Sequence, residues 1–112
     1  MLFRLRGANV IISSATPDNV WETGNYTYSA NRFVGYAKDA AKEVGAIFVD
    51  HGQTTADAYR ELGAQTVDAF YPHDHTHTSP AGAEVVAKAF VTGLEETRSK
   101  LKRYVQDYQA GY

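Results

Sequence analysis

Apolar positions along this chain follow two rhythms, short β-branched runs and longer stretches at helical spacing. Asn9-Val10-Ile11-Ile12-Ser13 and Ala46-Ile47-Phe48-Val49-Asp50 are runs of the first kind, expected of strands buried on both faces of a sheet. Between them Phe33, Ala37, Ala40 and Val44 share one helical face, with Ser29 placed to cap that helix and Gly45 to stop it. The segment from Ala15 to Tyr28 holds Pro17, Asp18, Asn19, Gly24 and Asn25 and reads as a long loop. Thr54 or Thr55 is expected to start a short helix through Tyr59 and Leu62, ended by Gly63. Ser79 and Pro80 form an N-cap and first-turn pair for a last helix. Its stripe runs Val86, Phe90, Leu94, Leu101, Val105 and Tyr108, with Thr97 as a polar gap. The chain shows no internal repeat and no linker.

Strand, crossover helix and strand in this order imply a parallel pair with a right-handed connection. Functional loops in such sheets gather at the carboxyl ends of the strands. The loop after Ser13, the loop after Asp50 and the His-rich run Tyr71-Pro72-His73-Asp74-His75-Thr76-His77-Thr78-Ser79 are therefore expected to meet on one rim.

Composition narrows the field of functions. The chain has 112 residues, 44% of them hydrophobic and 21% charged, which suits one folded domain at most and not a disordered chain. A net charge of −2 and a pI near 6.0 give no reason to expect nucleic acid or an anionic membrane as partner. The lack of cysteine excludes disulfides, thiolate metal sites and a Cys nucleophile. No apolar run is long enough to span a bilayer, and Met1 to Arg6 lacks the apolar stretch of a signal peptide.

The His-rich run carries the candidate chemistry. Asp74 and His77 lie three residues apart on a Pro-bounded loop, close enough for the carboxylate to accept a hydrogen bond from one ring nitrogen. That bond fixes the tautomer and turns the other nitrogen toward a reaction. The plainer reading is a polar loop whose side chains cap the following helix. His73, His75 and His77 alternate and His51 follows Asp50, so a zinc site is a further alternative, although the order matches neither a zinc-hydrolase run nor a helical His-Glu-x-x-His. Ser13, Ser14, Ser29, Ser79 and Ser99 are the serines, and none lies in a nucleophile elbow. Trp21 and Tyr26 sit in the long rim loop, where an aromatic ring either stacks on a sugar or pins the loop to its domain. Asn25-Tyr26-Thr27 is an N-glycosylation acceptor in the same loop. Glu95 to Arg103 alternates acidic and basic groups, as a solvated helix face does.

The run from Asp74 through Ser79-Pro80-Ala81-Gly82-Ala83-Glu84-Val85-Val86 resembles the closing block of the SGNH (GDSL-type) hydrolases, and specifically of the rhamnogalacturonan acetylesterases. The likeness extends upstream through Asn9 to Ser14, Thr16-Pro17, Trp21-Glu22-Thr23-Gly24, Arg32-Phe33-Val34 and Val49-Asp50-His51, and covers about residues 7–94. It implies an α/β fold: the carboxyl-terminal part of a flavodoxin-like, three-layer α/β/α domain with a parallel sheet, about two strands plus helices being present here. Residues 1–112 would then be a partial SGNH domain, with 95–112 as a helical tail extension. The resemblance further implies a Ser-His-Asp ester hydrolase acting on acetylated pectic polysaccharide, with His77 as base, Asp74 as its partner and no metal or organic cofactor. Its members are expected to be secreted. The family's Gly-Asp-Ser block and oxyanion-hole Gly and Asn do not occur in this sequence, so the chain alone is expected to be inactive. A non-catalytic remnant or interaction piece is the alternative to an enzyme fragment, with a His-rich metal-binding protein behind it. An unpaired strand edge would also leave the chain open to self-association.

Overall fold

In the computed structural model, which describes residues 2–106, the first element is a short helix α1 (Leu2–Leu5). The two apolar runs then form β1 (Ile11–Ser13) and β2 (Ile47–Val49). They pair in parallel, Ile11 against Ile47, Ile12 against Phe48 and Ser13 against Val49, and Ser14 N–H extends the ladder to the Val49 carbonyl at 3.1 Å. Helix α2 (Arg32–Val44) crosses between them and packs on both strands. A helix-rich chain around a two-stranded parallel sheet fits part of the expected α/β domain.

Full burial of the strands is not observed. Only Val49 is sealed, while Ile11, Ile12, Ile47 and Phe48 are half-buried, because among the described residues the sheet has two strands and helices cover it incompletely.

Two helix starts differ from expectation for one reason. In each, an Asn or Asp side chain beside the expected hydroxyl stands where it reaches the free N–H groups of the first turn. Asn31, not Ser29, caps α2, its side chain accepting from Phe33 and Val34 N–H. Asp50 caps α3 (His51–Leu62) by accepting from Gln53 N–H, so the helix begins ahead of Thr54 and Thr55, which are buried inside it. Gly45 and Gly63 terminate α2 and α3 as expected, Gly45 with φ of 67°. A short α4 (Ala64–Ala69) follows directly.

The stripe of α2 is also rotated. Val34, Ala37, Ala41 and Val44 turn inward, whereas Phe33 is 61% exposed and Ala40 faces solvent. Ala37 and Val44 belong to both possible stripes, so periodicity alone does not choose between them.

The last helix, α5 (Pro80–Glu95), starts where Ser79-Pro80 places it, with Ser79 Oγ accepting from Gly82 N–H at 3.2 Å. It does not run on through the tail. Thr97 Oγ1 bonds the Leu94 carbonyl at 2.6 Å, and Ser99 then caps a separate 3-10 helix, Lys100–Tyr104. Leu101 is exposed in consequence, Val105 is half-buried, and Tyr108 lies outside the described residues.

The main core lies away from the sheet, where α3, α4, α5 and the loop after β1 converge. Val20, Ala56, Tyr59, Val67, Phe70 and Tyr71 are buried together, with Trp21, Tyr26, Tyr28, Leu62, Val85 and Val86 around them. Loops normally lack such backing. Here the densest apolar cluster sits directly beneath them.

Candidate functional site

Two loops meet above that core: residues 14–31 after β1, and the His-rich loop between α4 and α5. The His loop is pinned at both ends. Ser79 N–H donates to the Phe70 carbonyl at 2.7 Å, closing the loop at its base. Tyr71 O–H donates to the Pro17 carbonyl at 3.1 Å and sits 3.0 Å from the Tyr59 hydroxyl. Burial pushes the Tyr71 phenol far above its ordinary range, with the Tyr59 hydrogen bond adding to it, so this donor keeps its proton.

Between these pins, Asp74 organises the exposed tip. Its Oδ1 accepts from Thr76 N–H at 2.8 Å and from His77 N–H at 2.7 Å, a turn that aspartate forms readily. Its Oδ2 lies 2.7 Å from His77 Nδ1. The backbone bond from His77, then the ring bond, then the Thr76 amide hold the Asp74 carboxyl well below the usual carboxylate range. A carboxylate fixed by two amides and aimed at Nδ1 makes Nδ1 the protonated nitrogen and leaves Nε2 with its lone pair outward. The His77 side chain is 83% exposed, so Nε2 is accessible as a base. The Asp74–His77 hydrogen bond is present, whereas the plainer reading of this pair as a cap of the following helix does not hold, because Ser79 caps α5.

His75 points to the other loop. Its Nδ1 is 3.0 and 3.2 Å from the Glu22 carboxylate oxygens, and its Nε2 is 3.8 Å from Asp18 Oδ2. Its carbonyl accepts from Asn19 N–H at 2.8 Å, and Thr76 Oγ1 donates to Asp18 Oδ1 at 3.0 Å. Glu22, Asp18 and Asn19 were not legible as site residues. Partners separated by more than fifty positions leave no local pattern, and the loop composition marks only a loop.

The four histidines do not converge. His51 lies at the start of α3, its Nε2 3.0 Å from the Val86 carbonyl and its ring edge-on to Phe90. Among the described residues, no group of three or more His, Asp or Glu side chains is placed to hold a metal ion.

Of the rim expected at the strand ends, the loop after β1 meets both the His-rich loop and the Asp50 segment, and Asp50 leads into a helix and not a loop. Ser14, buried at the end of β1, donates its hydroxyl to Asp50 Oδ1 at 2.8 Å and accepts from Gly52 N–H at 2.9 Å. A side chain at Gly52 would meet the Tyr28 hydroxyl at 2.8 Å and the Ala15 carbonyl at 2.9 Å, so only glycine lets these segments approach. Ser13, Ser79 and Ser99 are similarly engaged: Ser13 Oγ bonds the Ser14 carbonyl, and Ser79 and Ser99 cap helices. Ser29 lines a cleft of about 290 Å³ with Thr16, Asp18 and Tyr28.

Trp21 is half-buried. Its indole N–H donates to the Tyr59 carbonyl at 2.8 Å and its ring meets Tyr26 edge-on, the geometry of a loop anchor. Asn25 is exposed near the turn that Thr23 and Thr27 tie to its carbonyl.

No protein-family model matches the chain. Over 94 residues, 84% of its length, it is 56% identical to a rhamnogalacturonan acetylesterase of Emericella nidulans, and it spans 38% of that protein's length. Over 84% of its length the chain is therefore similar to the matching part of a rhamnogalacturonan acetylesterase, an enzyme of the SGNH type that its own sequence resembles.

Proposed function

We propose that this chain supplies the acid–base part of a Ser-His-Asp carboxylic ester hydrolase that deacetylates a pectic polysaccharide of the rhamnogalacturonan type. The observation that carries the reading is the 2.7 Å contact from Asp74 Oδ2 to His77 Nδ1, on a loop whose other ring nitrogen is open to solvent. The relationship to a rhamnogalacturonan acetylesterase supports the substrate class.

In this reading His77 Nε2 takes the proton of a serine hydroxyl as its oxygen attacks the acetyl carbonyl. Asp74 stabilises the imidazolium that forms, and the same nitrogen returns the proton to the departing sugar hydroxyl. Water then enters by the same route in reverse and releases acetate from the acyl-enzyme. The serine and the oxyanion donors come from sequence outside this chain, and they provide much of the barrier reduction. We assign Trp21 to the loop anchor and, on its solvent-facing part, to sugar contact. Asn25, exposed at the loop tip, is assigned as a glycan acceptor, in keeping with a secreted protein.

The test is a chimera in which this chain replaces the matching segment of the Emericella nidulans enzyme. The chimera should release acetate from acetylated substrate, and His77→Ala should lower its rate by about three to six orders of magnitude. The 112-residue chain alone should show no saturable turnover. A folded chimera without activity would favour the non-catalytic remnant. An active one indifferent to His77→Ala would remove the assignment of the base.

A further inference from the structure

We propose that His75 is a positioning residue: held between Glu22 and Asp18, its imidazolium clasps the loop after β1 onto the Asp74–His77 loop and lets go as the ring loses its proton. The inference rests on the assignment of Asp74 and His77 as the acid–base pair and adds to it a device that holds their loop in place.

Carboxylates facing both ring nitrogens favour the cation over the neutral ring. Nδ1 faces both Glu22 oxygens at 3.0 and 3.2 Å, and Nε2 faces Asp18 Oδ2 at 3.8 Å. Neutral imidazole has one N–H and can serve Glu22 alone, whereas imidazolium adds a charge attraction to Asp18 across 3.8 Å as well as to Glu22. The residue's own carbonyl holds Asn19 N–H, and its neighbour Thr76 bonds Asp18 through the side chain and Asp74 through the backbone. The clasp is therefore joined to Asp74 through a single residue. The acidic groups acting on the ring are Glu22 and Asp18 from the loop after β1 and Asp74 from its own loop, while Asp68 on α4 faces Asn19 Nδ2 instead. All three carboxylates favour the cation, with the Glu22 hydrogen bond the largest influence, and the His75 pKa is raised from its ordinary value.

The sign follows directly. A group whose folded-state pKa is raised contributes in full below the ordinary histidine value of about 6.5 and loses that contribution as pH climbs through the higher folded value. The two loops should stay joined in mild acid and part on the alkaline side.

Hydrogen–deuterium exchange of the whole chain, read by mass spectrometry at about pH 5.5 and about pH 8.5 and divided by the intrinsic exchange rate at each pH, tests this. Peptides containing Asn19 and Thr76–His77 should lose roughly two- to five-fold protection between the two conditions, the range expected of exposed ion pairs. Glu22→Gln and His75→Gln should abolish that step while peptides from α3 stay unchanged. A step of the same size in both variants, or none in the native chain, would overturn the proposal. Exchange is read without turnover and in monomeric or associated protein alike. A failed clasp would leave the Asp74–His77 assignment intact, and an inactive chimera would leave the clasp intact.

Discussion

Asp74 divides its work between two oxygens, and substitutions can separate the two duties. Asparagine retains an oxygen able to hold the Thr76 and His77 amides but presents an amide N–H₂ to Nδ1, where the carboxylate accepted. Asp74→Asn should keep the turn and move the neutral His77 proton to Nε2, removing the base; long-range ¹⁵N correlation on the imidazole reads the switch, and an unchanged tautomer would contradict the assignment. In the active chimera the same substitution should cost orders of magnitude in rate. The pH behaviour of the turn has the opposite sense to that of His75. Because the Asp74 carboxyl is held below its ordinary value, its contribution is complete above about pH 4 and disappears as pH falls through the lower folded value. On the acid side, the protection that Asp74 gives the Thr76 and His77 amides should accordingly persist through mild acid and disappear in strong acid.

At the scale of the element, close approach of helix to strand is the sensitive quantity. A Cβ at Gly93 would lie 2.9 Å from Val49 Cγ1, and Val49 is fully buried with no room to turn away. Alanine would gain about 1 kcal/mol in helix propensity and meet an overpacking cost of about 1–3 kcal/mol. Gly93→Ala should therefore lower the melting temperature of the chain by a few degrees, against a rise for a simple propensity effect. Ser79→Ala removes the α5 cap and should cost about 1 kcal/mol in the same assay. These elements also mark what sequence could reveal. Ser79-Pro80, Gly45 and Gly63 are local signals and stand where they were read. The start of α3 was displaced because Asp50 caps it from what looked like the end of a strand, and β2 runs into that cap without a loop. The break after Glu95 was hidden because the apolar stripe keeps helical phase across it, while Thr97 and Ser99 turn the backbone away. Within the site, the Asp74–His77 pair was legible from three-residue spacing; the contacts to Asp18 and Glu22 depend on the loops folding over a common core.

For the whole molecule, the balance of covered and open surface governs behaviour in solution. The aromatic core under the loops is well enclosed, yet Leu2, Phe3 and Leu5 on α1 and Phe33 and Tyr36 on α2 are largely exposed, and the sheet as described has two strands. Open strand edges and contiguous apolar side chains favour association. Among the described residues no helix is long and apolar enough to cross a membrane. Sedimentation of the purified chain should show concentration-dependent self-association, and Phe33→Ser with Tyr36→Ser should weaken it. A monodisperse monomer with one sharp unfolding transition would mean that this surface is tolerated in water.

The hydrogen bond from Ser79 to Phe70 has a consequence for how the molecule could change. That single bond closes the His-rich segment into a ring at its base. Helix α5 starts from Ser79 at that seal, and the core residues Phe70 and Tyr71 stand at its other side. The interior, residues 72–78, is then a replaceable cassette. Its length and side chains can be exchanged with little effect on the helices that carry it, so that alteration of the chemistry need not pass through loss of the fold.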